Sequence, residues 1–599
     1  MRSWNDQHAP RFLVLLSLLS LGLASEYDHK YEEGDRIGVW AARAGPLSKP
    51  FEAYNMYDLP YCRPEGITMN FAKKEAFLGD ALQGCNMEDT GVKLRFNVPV
   101  SGQKLCTSYP SAREKERFME AAYDRWVFTL YVDDMPVRGI VGPPVEQNAV
   151  EVKDLSRVKI YTRFSFTMEY NKNRVVGVSL EMKAPTAVDG PSLDLTYDVK
   201  WEKSEKDFVS RYENVMESEL FTSRAHWIAV INSMAIVVVM VAIAARIVRN
   251  LLDADIQKYS TVLMDDDLDV ELADIAAAES GWKQIREDVF RAPPCPSVLC
   301  SLIGFGNHLI LLVLSFVVAT LVGNLYVTPG HLAKAFCLCS ISTSFYAGYY
   351  ATGTLYRMTG NVSTRSHIMS SVLSIGGMPI LGAVFFLPTN LLSSIAGSNL
   401  TIAWSTIFKL MRVWTFYCLP PGLLGSRVAK NLHEHAKPHP CREVPRPIRV
   451  RFLTSPVFIA SVSAVMPFSC IVMEIFFILK SFWALKMYYI FDTLLIIFLL
   501  LMAVTASSSI VGSYVLLSAE DYRWQWSSWG SGAFTGFYCL VYSMFFYVYN
   551  TNISGVVPTV FYFTFSLFFS SLLAVLCGAL AYLASSIFVK KLYANFKSE

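Results

Sequence analysis

Glu474 and Asp492 are carboxylates set in or beside long apolar runs, a placement with few chemical explanations. An ionised side chain at mid-bilayer costs on the order of ~3 kcal/mol on insertion scales. Such a group marks a structural polar contact, a proton or ion pathway, or a surface that recognises a client helix. The two runs are joined by a short connection, so both groups could face one polar cavity or meet Lys480 or Lys409. A second cluster, Glu520-Asp521-Tyr522-Arg523-Trp524-Gln525-Trp526, mixes acids with aromatics of the kind favoured at a membrane boundary. It reads as an interfacial anchor, or as a box that also engages a partner or gates a conformational change. A third pattern, Lys597 with Glu599, offers opposite charges at fixed spacing on a short tail that a complementary partner could bind. A frayed basic end is the plainer account of it.

Other patterns carry less. The run His433-Glu-His-Ala-Lys-Pro-His439-Pro-Cys441 has its first two His at i and i+2, prolines nearby and no second Cys pair. This fits a hydrated basic loop near anionic lipid better than a zinc module. Asp265-Asp266-Asp267-Leu268-Asp269 lacks the glycine spacing of a calcium loop and reads as a solvated linker. Neither a nucleophile elbow, a zinc-protease helix, a phosphate-binding loop nor a dinucleotide fingerprint occurs in a suitable context. The expectation is therefore no enzymatic activity, no cofactor and no metal. Basic residues are dispersed, so no nucleic-acid partner is expected either.

The elements that must position these groups are apolar helices. The chain is 53% hydrophobic and 17% charged with a mean hydropathy of +0.32, beyond what a soluble chain of 599 residues usually shows. Nine apolar stretches fall at about 227–249, 303–327, 331–356, 366–388, 401–424, 455–480, 487–507, 530–550 and 558–589. Residues 1–25, with Arg2 and Arg11 before the run Phe12 to Leu21, read as a secretory signal peptide. That makes the mature N-terminus lumenal, and an odd span count puts the tail at 590–599 in the cytosol. Loop charge agrees independently. The loop 425–454 carries Arg427, Lys430, Lys437, Arg442, Arg446, Arg449 and Arg451, whereas the connections 328–330, 389–400 and 551–557 contain no Lys or Arg. The other long cytosolic loop, about 250–302, ends in Gly281-Trp282 to Pro294, an amphipathic segment that lies on the membrane or packs beneath the bundle. Of the sequons, Asn361 is cytosolic, Asn399 is too close to the membrane, and Asn552 is the candidate for glycosylation.

Residues 26–222 have soluble composition. Lys159 to Tyr170, Val175 to Met182 and Leu193 to Trp201 alternate apolar and polar, which predicts half-buried strands of a β-sandwich-like lumenal domain. Helical stripes are expected only at Ala112 to Ala122 and Asp207 to Phe221. Three cysteines, Cys62, Cys85 and Cys106, stand in this region; an oxidising lumen favours one disulfide, with Cys62 and Cys106 as the candidate pair among three. The fold class expected is an α-helical polytopic membrane protein of nine transmembrane helices with an N-terminal β-rich domain.

An ordered series of motifs resembles the transmembrane 9 superfamily, the nonaspanins. It comprises Gly34-Asp35, Gly45-Pro46, Tyr54, Leu59-Pro60-Tyr61-Cys62, Trp227, Asn232-Ser233, Gly281-Trp282-Lys283, Asp288-Val289-Phe290-Arg291 and Pro293. Pro467-Phe468 with Glu474, Tyr488-Tyr489, Tyr514 to Leu517 and the box Glu520 to Trp526 continue it. Asp492, Gln525, Lys409 and Arg412 depart from the family pattern. The resemblance implies a Golgi and endosomal protein that helps sort, localise and deliver client membrane proteins to the surface. It also implies that Lys597 and Glu599 are read by coat protein complex I (COPI). The alternative from another class is an ion or proton transporter using Glu474 and Asp492; a lumenal receptor for a small ligand or glycan would need a concave pocket on the sandwich. Clients and oligomeric state are not specified by the sequence.

Overall fold

A computed structural model describes residues 29–47, 54–61, 87–144, 158–188, 190, 192–208, 211, 223–262, 281–323, 329–360, 362–396, 401–433, 441–448, 452–483, 491–551, 553 and 555–594. The signal peptide, Cys62, Cys85, the sequons at Asn361, Asn399 and Asn552, the acidic run, His435 to His439, and Lys597 with Glu599 lie outside these residues.

Alternation is what builds the N-terminal region. Strands β1 (Arg36–Ile37) and β4 (Leu94–Arg95) form a small pair, while β2 (Val39–Pro46), β3 (Glu88–Asp89), β6 (Trp126–Val132) and β7 (Met135–Ile140) make one four-stranded sheet in the order β3-β2-β6-β7. A second sheet, ordered β5-β10-β8-β9, contains β5 (Val100–Ser108), β8 (Lys159–Asn171), β9 (Arg174–Ala187) and β10 (Leu193–Lys203). Every other residue of β8, Ile160, Phe164, Phe166 and Met168 among them, is buried against Val39, Phe128, Leu130 and Val132 of the first sheet, so two sheets share one core. Helix α1 (Ala112–Tyr123) closes it with Phe118, Ala121 and Ala122, and starts on a Ser111/Glu114 capping box. The three predicted strands appear within a few residues of their expected bounds. The expected helical stripe at 207–221 falls almost wholly outside the described residues.

The sandwich interior holds a cavity of about 20 Å³, room for a single water, lined by Met56, Tyr61, Leu130 and Phe164. At the domain edge Asp133 is 2% exposed and accepts from Tyr31 Oη at 2.5 Å; it also pairs with His29 Nδ1 at 2.8 Å and with Arg211 at 3.5 Å. The first described residues and Arg211, which precedes the first membrane helix, are thus tied to one β-turn.

Nine helical rods follow among the described residues. They are α2 (Ser223–Val262), α3 (Pro296–Gly323), α4 (Pro329–Thr359), the pair α5 (Thr364–Ile375) and α6 (Gly377–Ile395), the pair α7 (Trp404–Val413) and α8 (Leu419–His433), α9 (Pro456–Trp483), α10 (Phe491–Ser518), α11 (Trp524–Asn550) and α12 (Val556–Ala594). Seven contain a segment long and apolar enough to cross a membrane by composition alone. The other two rods, α4 and α7-α8, are the polar ones, and they pack on each other. A Cβ at Gly348 would strike the Gly422 carbonyl, and one at Gly425 would strike the Phe345 carbonyl, so missing side chains let these backbones touch.

Two spans are less regular than their hydropathy suggested. The fourth breaks at Gly376, and the Ile375 carbonyl accepts from Trp414 Nε1 at 3.3 Å. The fifth contains a π-turn at Trp414–Cys418 just ahead of Pro420 and Pro421. Two consecutive residues without N–H groups disrupt the i to i−4 ladder there, and a wider turn absorbs the mismatch.

Candidate functional site

The irregular stretch 281–294 and the box 520–526 form one interlocked structure at a single end of the bundle. The 281–294 backbone is a 3-10 turn (Gly281–Ile285) followed by turns, so its carbonyls have no ladder to bond into. Side chains of the box take them up. Trp524 Nε1 donates to the Val289 carbonyl at 2.8 Å, Gln525 Nε2 to the Arg291 carbonyl at 3.0 Å, and Trp526 Nε1 to the Pro294 carbonyl at 2.9 Å. From the last helix, Tyr593 Oη donates to the Trp282 carbonyl at 2.6 Å. Beneath these bonds Trp282, Ile285, Val289, Leu516, Leu517, Trp524, Tyr582 and Tyr593 make a buried cluster, with Trp524 stacked on Tyr582 at 5.8 Å. The amphipathic segment is therefore packed beneath the bundle rather than laid on a membrane surface.

Charges close the rim. Asp288, 3% exposed, accepts from Arg291 Nη2 at 2.7 Å and from the backbone N–H of Arg446 at 3.3 Å. The Arg446 guanidinium bridges the Gln284 carbonyl at 3.2 Å and the Glu520 carboxylate at 3.3 Å, linking three loops. Asp521 takes the backbone N–H of Arg523 at 2.9 Å and its guanidinium at 2.7 Å, turning the chain into α11. Helix α11 begins at Trp524, earlier than the apolar run at 530, because the box residues supply its first turn. Glu520 itself sits at φ +64°, where a helix C-terminus usually carries glycine.

This geometry joins the two stretches that carried the family resemblance most densely. A family model described as endomembrane protein 70 matches residues 53–556. The chain belongs to the endomembrane protein 70 family. Among curated relatives, Transmembrane 9 superfamily member 1 of Bos taurus is 30% identical over 623 aligned residues, covering 100% of this chain and 99% of the relative. Transmembrane 9 superfamily member 3 of Arabidopsis thaliana is 30% identical, covering 96% of the chain and 95% of the relative. Putative phagocytic receptor 1b of Dictyostelium discoideum is 28% identical across 98% and 99%. No solved structure matches.

In this endomembrane protein 70 chain the other candidate residues are scattered. Glu474 lies on α9, 3% exposed, one turn beyond Cys470, whose carbonyl accepts from Ser233 of α2 at 2.8 Å. Helical rise puts it about 14 Å from the end of α9 at Trp483, whereas Asp492 is the second residue of α10. Cys106 is disulfide-bonded, to a partner outside the described residues, while Cys295 and Cys441 are exposed and in no disulfide. No group of three or more His, Cys, Asp or Glu able to hold a metal occurs among the described residues. On α11, Gly532 and Gly536 meet α12 at the Cys577 and Ser570 carbonyls, and Gly530 faces Ala460 of α9. Arg446 had counted only as one more loop charge in the sequence; nothing in its local pattern announced a three-way bridge.

Proposed function

We propose that this protein is a Golgi and endosomal multi-pass membrane protein that assists the sorting, localisation and surface delivery of other membrane proteins. Its lumenal sandwich and exposed helix faces meet client membrane proteins, and its tail is read by coat protein complex I through Lys597 and Glu599. Family membership supports the class, and one relative is named as a putative phagocytic receptor, a role that surface delivery of adhesion proteins would serve. The observation that carries the tail assignment is the anchoring of α12. Val589 is buried and Tyr593 is bonded to Trp282, so the chain is held firmly at the interlocked end as far as Tyr593, within the first half of the tail. A short peptide leaving a fixed anchor presents its charges at a defined place at small entropic cost. Changing Lys597→Ala moves the protein to later compartments, seen by imaging beside Golgi and endosomal markers, with coat subunits lost from proximity labelling. An unchanged steady-state location removes the tail from the mechanism.

A further inference from the structure

The C-terminal ends of three rods lie at the interlocked end, and each brings a basic side chain there. Arg357 ends α4, His433 ends α8 and Lys590 lies near the end of α12. Arg357 Nη2 lies 2.9 Å from His433 Nε2, and the ring of His433 rests over Gly353, with a Cβ there 3.3 Å from it. Arg357 and Lys590 repel one another, and both repel a protonated His433. Among the described residues no carboxylate pairs with Arg357 or Lys590, in contrast to Arg291, Arg446 and Arg523 on the same end, each of which has an acid. Helix C-termini offset a cation by about half a charge each, which leaves the cluster positive.

A solvated surface lets like charges diverge; this cluster is held together from below. Thr352 of α4, Ser371 of α5 and Ser426 of α8 form a closed hydroxyl triangle with sides of 2.7, 2.8 and 3.1 Å, and His367 joins it at Ser426 at 3.3 Å. All three hydroxyl-bearing residues are buried, so the triangle fixes the spacing of the helices that carry Arg357 and His433. Inward of the cations the same helices expose apolar side chains to the surroundings, namely Val428, Leu432 and Ile587.

We infer that Arg357, His433 and Lys590 bind the phosphorylated headgroup of an anionic lipid. The occupant is a lipid phosphomonoester because the cations stand at helix ends, at the depth of headgroups, and the exposed apolar side chains beside them suit acyl chains. A phosphate oxygen accepts from the guanidinium and the ammonium and relieves their mutual repulsion. Arg446 and the interlocked segment are already satisfied and take no part.

The test uses full-length protein in nanodiscs of phosphatidylcholine with and without phosphatidylinositol 4-phosphate, binding being read by native mass spectrometry. Wild type retains the phosphoinositide. The double variant Arg357→Gln, Lys590→Gln loses about twenty-fivefold in affinity, about fivefold per cation, while Arg357→Lys, Lys590→Arg retains binding and shows that the fold survives. The charge-matched control Arg427→Gln, Lys591→Gln stays within about twofold of wild type. Equal losses in both double variants would mean diffuse surface charge and overturn the site. Equal retention of soluble inositol phosphate and lipid would overturn the assignment to a lipid.

Discussion

Glu520 shows how a single residue carries two opposed terms. Its left-handed backbone costs about 1–2 kcal/mol for a residue with a Cβ, and its ion pair with Arg446, a third exposed on each side, returns at most about 1 kcal/mol. Glu520→Gly therefore leaves thermal stability in detergent within about 1 kcal/mol of wild type, whereas Glu520→Ile, β-branched at the same φ, lowers it by about 2 kcal/mol. In the sandwich, Arg163 beside Asp198 holds that carboxyl below its usual range through a hydrogen bond of 2.6 Å, and Arg163 is raised in turn. A depressed carboxylate contributes stability that is present above its unfolded pKa and is lost as pH falls through the ordinary carboxylate range and below. Melting of the wild type should fall with acid across that window, and Asp198→Asn should flatten the dependence; an identical slope in both would assign the acid sensitivity elsewhere.

At the scale of elements, the interlock depends on indoles that both pack and donate. Trp524→Ala removes a buried ring and the donor to the Val289 carbonyl, at about 3–5 kcal/mol. Trp524→Phe keeps most of the packing and loses only the bond, at about 1–2 kcal/mol. Limited proteolysis at 281–294 should accelerate in the first variant and change little in the second. The polar rods α4 and α7-α8 teach a related lesson: their hydropathy is modest because glycine and hydroxyl residues build the contact between them, a device suited to helices that cannot gain from burying apolar surface in lipid. Lys409 and Arg412, which intrude on the fifth span, belong to this less apolar rod.

For the whole molecule, the two long loops that the charge rule assigns to the cytosol converge, in their described residues, on one end. Residues 281–294 and 441–446 meet the box 520–526 and Tyr593 there, an arrangement only an alternating path of spans allows. Exposed Cys295 and Cys441 lie at that end, whereas Cys300, Cys418, Cys470, Cys539 and Cys577 are buried. A membrane-impermeant maleimide should label the first two only after selective permeabilisation of the plasma membrane; labelling from the lumenal side of sealed vesicles would invert the topology.

The sequence by itself determined the class, because span length, loop charge and strand alternation are each set locally by the solvent a residue faces. It placed the sandwich strands β8, β9 and β10 and all nine rods. Only the tertiary structure decided what the box does, since a carbonyl without a ladder partner at Val289 and an indole at Trp524 lie 235 residues apart and carry no mark of one another. The break at Gly376 and the Arg446 bridge were hidden for the same reason. Each arises from satisfying a backbone or a charge across distant segments, and local composition holds no record of that.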